Sequence, residues 1–168
     1  MKYLFLDFDR TLFDTELFYN SLELQYVLGM QWFPKGVDFS KFIYPDVIPQ
    51  LNLFKRLGFT ICLVTFGERA VQEYKFQASG LVPYFKDMFY VEQGSKAAAI
   101  KRYLDSAVSC EKIIFVDDMV RHLEAFSQLI PSGIPIRIRR IGAKGSDISD
   151  NRFVSVKTLV HLEAILVG

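Results

Sequence analysis

Five short apolar runs, at residues 3–8, 60–65, 87–91, 112–116 and 134–138, punctuate the chain, each separated from the next by a longer segment with helical character. Three of them are apolar at nearly every position, as buried parallel strands are when helices cover both faces of a sheet. The last alternates Ile134, Ile136 and Ile138 with Pro135, Arg137 and Arg139, which reads as an edge strand with one charged face. Helices are expected over 16–28, 47–57, 70–78, 96–106, 121–129 and 156–166, with Gly29, Gly58 and Gly80 at their C-terminal ends. The alternation predicts an α/β protein: a Rossmann-like, three-layer α/β/α arrangement around a five-stranded parallel sheet.

One stretch departs from this rhythm. Residues 15–44 hold a single helix followed by Trp32, Phe33, Pro34, Gly36, Phe39, Phe42 and Tyr44 in no clear period, and read as a small cap inserted after the first strand. Aromatic residues at this density are expected to form an accessory core. Trp32, Phe33 and Phe39 are the candidates to roof a pocket.

Composition narrows the picture. A chain of 168 residues that is 51% hydrophobic can bury a core as one domain, 1–168. Its 20 basic and 19 acidic residues leave a formal charge of +1, which favours neither nucleic acid nor a membrane surface as partner. Cys62 and Cys110 form no CxxC pair, so neither zinc nor a disulfide framework is indicated, and a reducing setting fits. The first apolar run meets Asp7 and Asp9 too soon for a signal peptide, and a cytoplasmic location is expected.

Ligands of an open α/β sheet gather outside the carboxyl ends of its strands. Here those ends are acidic. The first run leads into Asp7-Phe8-Asp9-Arg10-Thr11, the second ends at Thr65, the fourth ends at Asp117-Asp118, and Lys96 opens the helix after the third. Carboxylates crowded into one crevice repel unless a cation sits among them. An all-oxygen donor set favours magnesium.

The segment Asp7-Phe8-Asp9-Arg10-Thr11-Leu12 resembles the DxDxT signature of the haloacid dehalogenase superfamily. Three further segments resemble the family's other motifs in order: Thr65 within Leu63-Val64-Thr65-Phe66-Gly67, Lys96 within Gly94-Ser95-Lys96, and Asp117-Asp118 after Val116. The resemblance spans nearly the whole chain and implies a strand order of five-four-one-two-three. It also implies a magnesium-dependent phosphatase in which Asp7 attacks phosphorus and forms an aspartyl-phosphate. Asp9 would then act as acid and base, with a raised pKa, and Thr65 and Lys96 would stabilise the phosphoryl group. Phe66, Gly67 and Arg10 would adjoin the phosphate. The metal would be held by the side chain of Asp7, the backbone carbonyl of Asp9 and the side chain of Asp118, with Asp117 as second choice.

Two positions depart from the family pattern: Arg10 stands where many relatives have glycine, and His122 where they often have aspartate or asparagine. His122 and His161 read as surface residues. The basic residues Arg137, Arg139, Arg140 and Lys144 read as the charged side of an edge strand. The expected partner is a small phosphorylated metabolite. The rival functions are a phosphomutase, a nucleic-acid end phosphatase and a non-catalytic interaction module on the same fold.

Overall fold

The computed structural model describes residues 1–21, 37–106, 109–144 and 151–167. Trp32, Phe33 and the expected helix end at Gly29 lie outside them.

The sheet is built from β1 (Lys2–Leu6), β2 (Phe59–Phe66), β3 (Asp87–Val91), β4 (Lys112–Asp117), β5 (Ile134–Ile138) and β6 (Val154–Val156), in the order β3-β2-β1-β4-β5-β6. All five pairings are parallel. Between and after the strands lie α1 (Thr15–Ser21), α2 (Val47–Arg56), α3 (Arg69–Ala78), α4 (Lys96–Asp105), α5 (Val120–Leu129) and α6 (Glu163–Val167).

Strand periodicity divides the core into two layers. Leu4 and Leu6 of β1, Ile61 and Leu63 of β2, and Ile114 and Val116 of β4 face one side, where Phe54 of α2, Phe76 of α3 and Leu166 of α6 cover them. Tyr3 and Phe5, Cys62 and Val64, and Ile113 and Phe115 face the other, against Ile100 of α4 and Leu123 and Phe126 of α5. Burial of both faces explains the near-continuous apolar runs of β1, β2 and β4.

The segment after β1 belongs to the first of these layers. Phe18, Phe39 and Phe42 gather around Phe13, with ring centroids 5.3, 6.3 and 5.7 Å from it. Phe39, expected as a candidate to roof a pocket, is therefore part of the main core.

The C-terminal part departs from expectation. The sheet has six strands, and β5 is internal because β6 pairs with it. Residues 156–166, expected as one helix, instead hold the end of β6, a 3₁₀ turn at Leu159–Leu162 and the short α6. The β-branched Val154 and Val156, alternating around Ser155, suit a strand.

Two arginines of this region are interior ties, Arg137 and Arg140 being only 4% and 3% exposed. Arg137 donates from Nε to the Asp118 carbonyl at 3.3 Å. Arg140 donates from Nε and Nη2 to the Thr11 carbonyl at 3.0 and 2.8 Å, and from Nη1 to both Asp46 oxygens at 2.8 Å. Its guanidinium lies 4.2 Å from the Tyr44 ring centroid. Asp46 also accepts the Leu159 N–H at 2.6 Å, so one ion pair joins the loop after β1, the start of α2 and the C-terminal turn.

Removing one member of a buried pair strands the other charge. Arg140→Ala should therefore lower stability by about 3–5 kcal/mol, measured by urea unfolding. A loss within experimental error would show that the tie contributes nothing.

Candidate active site

Strand parity sets the centre of the site. Asp7 and Asp117 follow Phe5 and Phe115 in the two-residue repeat, so both carboxylates are directed to the side of the sheet that carries α4. Ser95 caps α4 by accepting the Ala98 N–H at 3.1 Å, and Lys96 is the first helical residue. Its ammonium, 3% exposed, donates to Asp7 Oδ1 at 2.5 Å and to Asp117 Oδ2 at 2.7 Å.

Asp7 Oδ2 also accepts the Thr11 hydroxyl at 3.3 Å. The loop that brings Thr11 back is tight: the Phe8 carbonyl accepts the Leu12 and Phe13 N–H groups at 2.9 and 3.0 Å, and Arg10 adopts φ 58°. That left-handed conformation strains any residue with a Cβ and favours glycine. Arg10 is tethered by Glu16, whose Oε1 accepts its Nε–H at 2.7 Å.

Asp117 is fully committed. It accepts Lys96, the Met119 N–H at 2.8 Å and His122 Nδ1 at 3.0 Å. His122 is thus no surface residue but a support for Asp117, with its ring 6.1 Å from that of Phe66. Asp118, the next residue, instead lines a cavity of about 230 Å³ together with Asp7, Asp9, Lys96 and Thr65. Arg10, Phe66, Tyr19, Arg121 and His122 also line it. One oxygen each from Asp7, Asp117 and Asp118 lie within 4.8 Å of one another.

This crowding sets the acidities. Burial raises Asp7 to about 6, with the pull of Lys96 opposing it and Asp117 adding to it. Burial, then Asp7 and Asp117, raise Asp118 to about 8. Burial works in the same direction on Asp117, but Lys96 and His122 outweigh it and hold Asp117 below the ordinary range. The Lys96 ammonium is favoured by Asp117 and Asp7 against its own burial.

Asp9 differs from expectation. Burial would raise its pKa, yet Lys75, Gln72 and Thr15 more than offset that and lower it. Lys75 Nζ and the Thr15 hydroxyl (2.9 Å) donate to Oδ1, and Gln72 Nε2 donates to Oδ2 at 3.0 Å. Thr65 is buried and donates to Gln72 Oε1 at 3.3 Å. The Gly67 N–H, expected to adjoin phosphate, is taken by the Val91 carbonyl at 2.9 Å.

Sequence reasoning missed Lys75 and Gln72. The available signal was polar residues one turn apart on the face of α3 that carries Phe76, four and seven positions into a helix starting beside Thr65. Two larger cavities, of about 390 and 380 Å³, lie beside Met1, Phe59 and Tyr84 and beside Tyr90 and Arg102, and neither gathers a carboxylate cluster.

No family model and no curated protein matches the sequence. Solved structures do match the fold. A Burkholderia xenovorans protein assigned as a haloacid dehalogenase-like hydrolase superposes with a TM-score of 0.74 at 14% identity, covering 100% of this chain and 99% of that one. A Thermotoga maritima protein assigned as a β-phosphoglucomutase gives 0.68 at 15% identity, with 99% of each chain covered. A Bacillus subtilis protein assigned as a HAD-hydrolase, whose structure is bound to magnesium, gives 0.66 at 11% identity and 98% of each. The chain has the haloacid dehalogenase-like fold. Among the described residues, no helix is long and apolar enough to cross a membrane.

Because Asp7 and Asp118 have higher pKa values folded than the ordinary 3.8, the folded protein binds more protons than the unfolded chain between about pH 4 and 8. Stability of the metal-free protein should therefore fall as pH rises through that interval. Asp9 and Asp117 are lowered, so their contributions vary only at more acidic pH. In chelator, Asp118→Asn should flatten the decline of Tm between pH 5 and 8 and melt above the wild type at pH 8. A wild-type Tm that rises over this range contradicts the arrangement.

Proposed function

We propose that the protein is a magnesium-dependent phosphomonoester hydrolase of the haloacid dehalogenase superfamily, with Asp7 as nucleophile and a small phosphorylated metabolite as substrate. The observation that carries this reading is the meeting of Asp7, Asp117 and Asp118 oxygens within 4.8 Å of one another, with one buried ammonium bonded to Asp7 and Asp117. On this reading the chain is one catalytic domain, with residues 15–44 as its small cap.

The donor set suits the metal. All three groups offer oxygen, and two have pKa values raised by burial and mutual repulsion, which a hard cation relieves. Asp117 is already occupied by Lys96, Met119 and His122, so the side chains of Asp7 and Asp118 would hold the ion, and the resemblance to the family adds the Asp9 carbonyl. When bound, magnesium supplies charge stabilisation to the phosphoryl oxygens.

In the first step an Asp7 oxygen bonds to phosphorus as the bond to the leaving oxygen breaks, giving an aspartyl-phosphate and an alcohol. Asp9 gives its proton to that leaving oxygen. In the second step water attacks phosphorus, Asp9 takes the water's proton, and Asp7 departs with inorganic phosphate as the other product. Lys96 holds Asp7 in place and offsets its charge, and the Thr65 hydroxyl on the cavity wall stabilises the phosphoryl group. The Lys75 pairing favours the anionic form of Asp9, suited to the second step. The negative charge of a bound phosphate opposes that pairing and favours the protonated form needed in the first.

Purified protein should release phosphate from a panel of sugar phosphates, nucleotides and aryl phosphates only when magnesium is present. Asp7→Asn should abolish release in a protein that still folds and melts cooperatively. Residual turnover near the wild-type rate in that variant would falsify the nucleophile assignment. Asp9→Asn should slow alkyl phosphates by about 10²-fold or more and aryl phosphates less, because a phenolate leaves without help. Equal losses on the two ester types would remove Asp9 from the acid role.

A further inference from the structure

Lys75 sits in the middle of α3 with 4% of its surface exposed, a costly position for an ammonium unless its surroundings compensate. The compensation comes from the loop after β1. Its Nζ bonds Asp9 Oδ1 and lies 5.4 and 5.0 Å from the ring centroids of Phe8 and Phe13, where the cation meets aromatic faces. Gln72, one turn earlier, bonds Asp9 Oδ2 through Nε2 and accepts the Thr65 hydroxyl through Oε1. Gly67 gives that amide room: at φ 140°, a Cβ there would stand 3.0 Å from Gln72 Nε2.

Both oxygens of Asp9 are therefore fixed from α3, and the side chain that fixes one of them also touches Thr65. An ion pair serving stability alone needs no such link. We infer that Lys75 and Gln72 are positioning residues that set the Asp9 carboxylate at a fixed distance from the Thr65 hydroxyl, so that proton transfer at the leaving oxygen is aligned with phosphoryl binding. The inference rests on the proposed phosphatase reading. Small displacements of a reacting group are expensive in rate, which gives the clamp a kinetic signature.

The test compares Lys75→Met, Lys75→Arg and Gln72→Leu with the wild type on glycerol phosphate and p-nitrophenyl phosphate in magnesium, with folding followed by thermal melting. Lys75→Met should lower kcat for the alkyl ester about tenfold more than for the aryl ester, with KM little changed. Gln72→Leu should act in the same direction, Lys75→Arg should recover part of the loss, and Lys75→Met should add nothing to Asp9→Asn. Equal losses on both esters, no loss, or full additivity with Asp9→Asn in a protein that melts normally would overturn the inference. If Lys75→Met does not fold, Gln72→Leu and Lys75→Arg carry the same comparison. The failures are distinguishable: a wild type that cleaves neither ester, or an Asp9→Asn variant indifferent to leaving group, sinks the phosphatase reading. An Asp9→Asn variant with the expected selectivity beside a flat Lys75→Met sinks the clamp alone.

Discussion

One buried ammonium holds the acidic end of the sheet together. β1 and β4 are paired, and their parity sends Asp7 and Asp117 to the same face, where two unpaired carboxylates would repel in a low-dielectric interior. Lys96 resolves this by donating to both. Its placement follows from chain geometry, because Ser95 starts α4 at the carboxyl end of β3 and the first helical side chain faces back across β2. With Asp117 engaged in this way, the acidic groups that line the cavity are Asp7, Asp9 and Asp118.

Asp117 and Asp118 illustrate how little sequence proximity says about acidity. They are adjacent, yet one is held below the ordinary carboxylate range and the other is pushed up to about 8. The difference lies in partners. Asp117 has three donors, whereas Asp118 shares a cavity with other carboxylates.

The features legible in the sequence were those that depend on neighbours a few positions apart. Strand runs, helix starts and the residues closing each strand follow from periodicity and turn chemistry, so Asp7, Thr65, Lys96 and Asp118 could be placed at one end of the sheet before any coordinates. What escaped depends on distant partners. Arg137 and Arg140 look like the charged face of an edge strand until Asp118, Thr11 and Asp46 are seen to receive them. The expected rise in the Asp9 pKa failed because Lys75, 66 residues later, packs against it. β6 escaped because three residues carry too little pattern to outvote a helical reading of the segment they begin.

The tie from Arg140 to the Thr11 carbonyl spans 129 residues. The loop bearing Asp7 and Asp9 is translated long before β5, and the guanidinium that pins it emerges from the ribosome only after that strand. A nascent chain long enough to pair β1 with β2 thus carries the acidic signature without the bond that closes the loop. Contacts of such separation form late, because the entropy of closing a long loop must be overcome before they stabilise anything. The carboxylate end of the sheet is in this sense closed only once β5 has been made, and chains that stop before Arg140 would present these carboxylates without that tie.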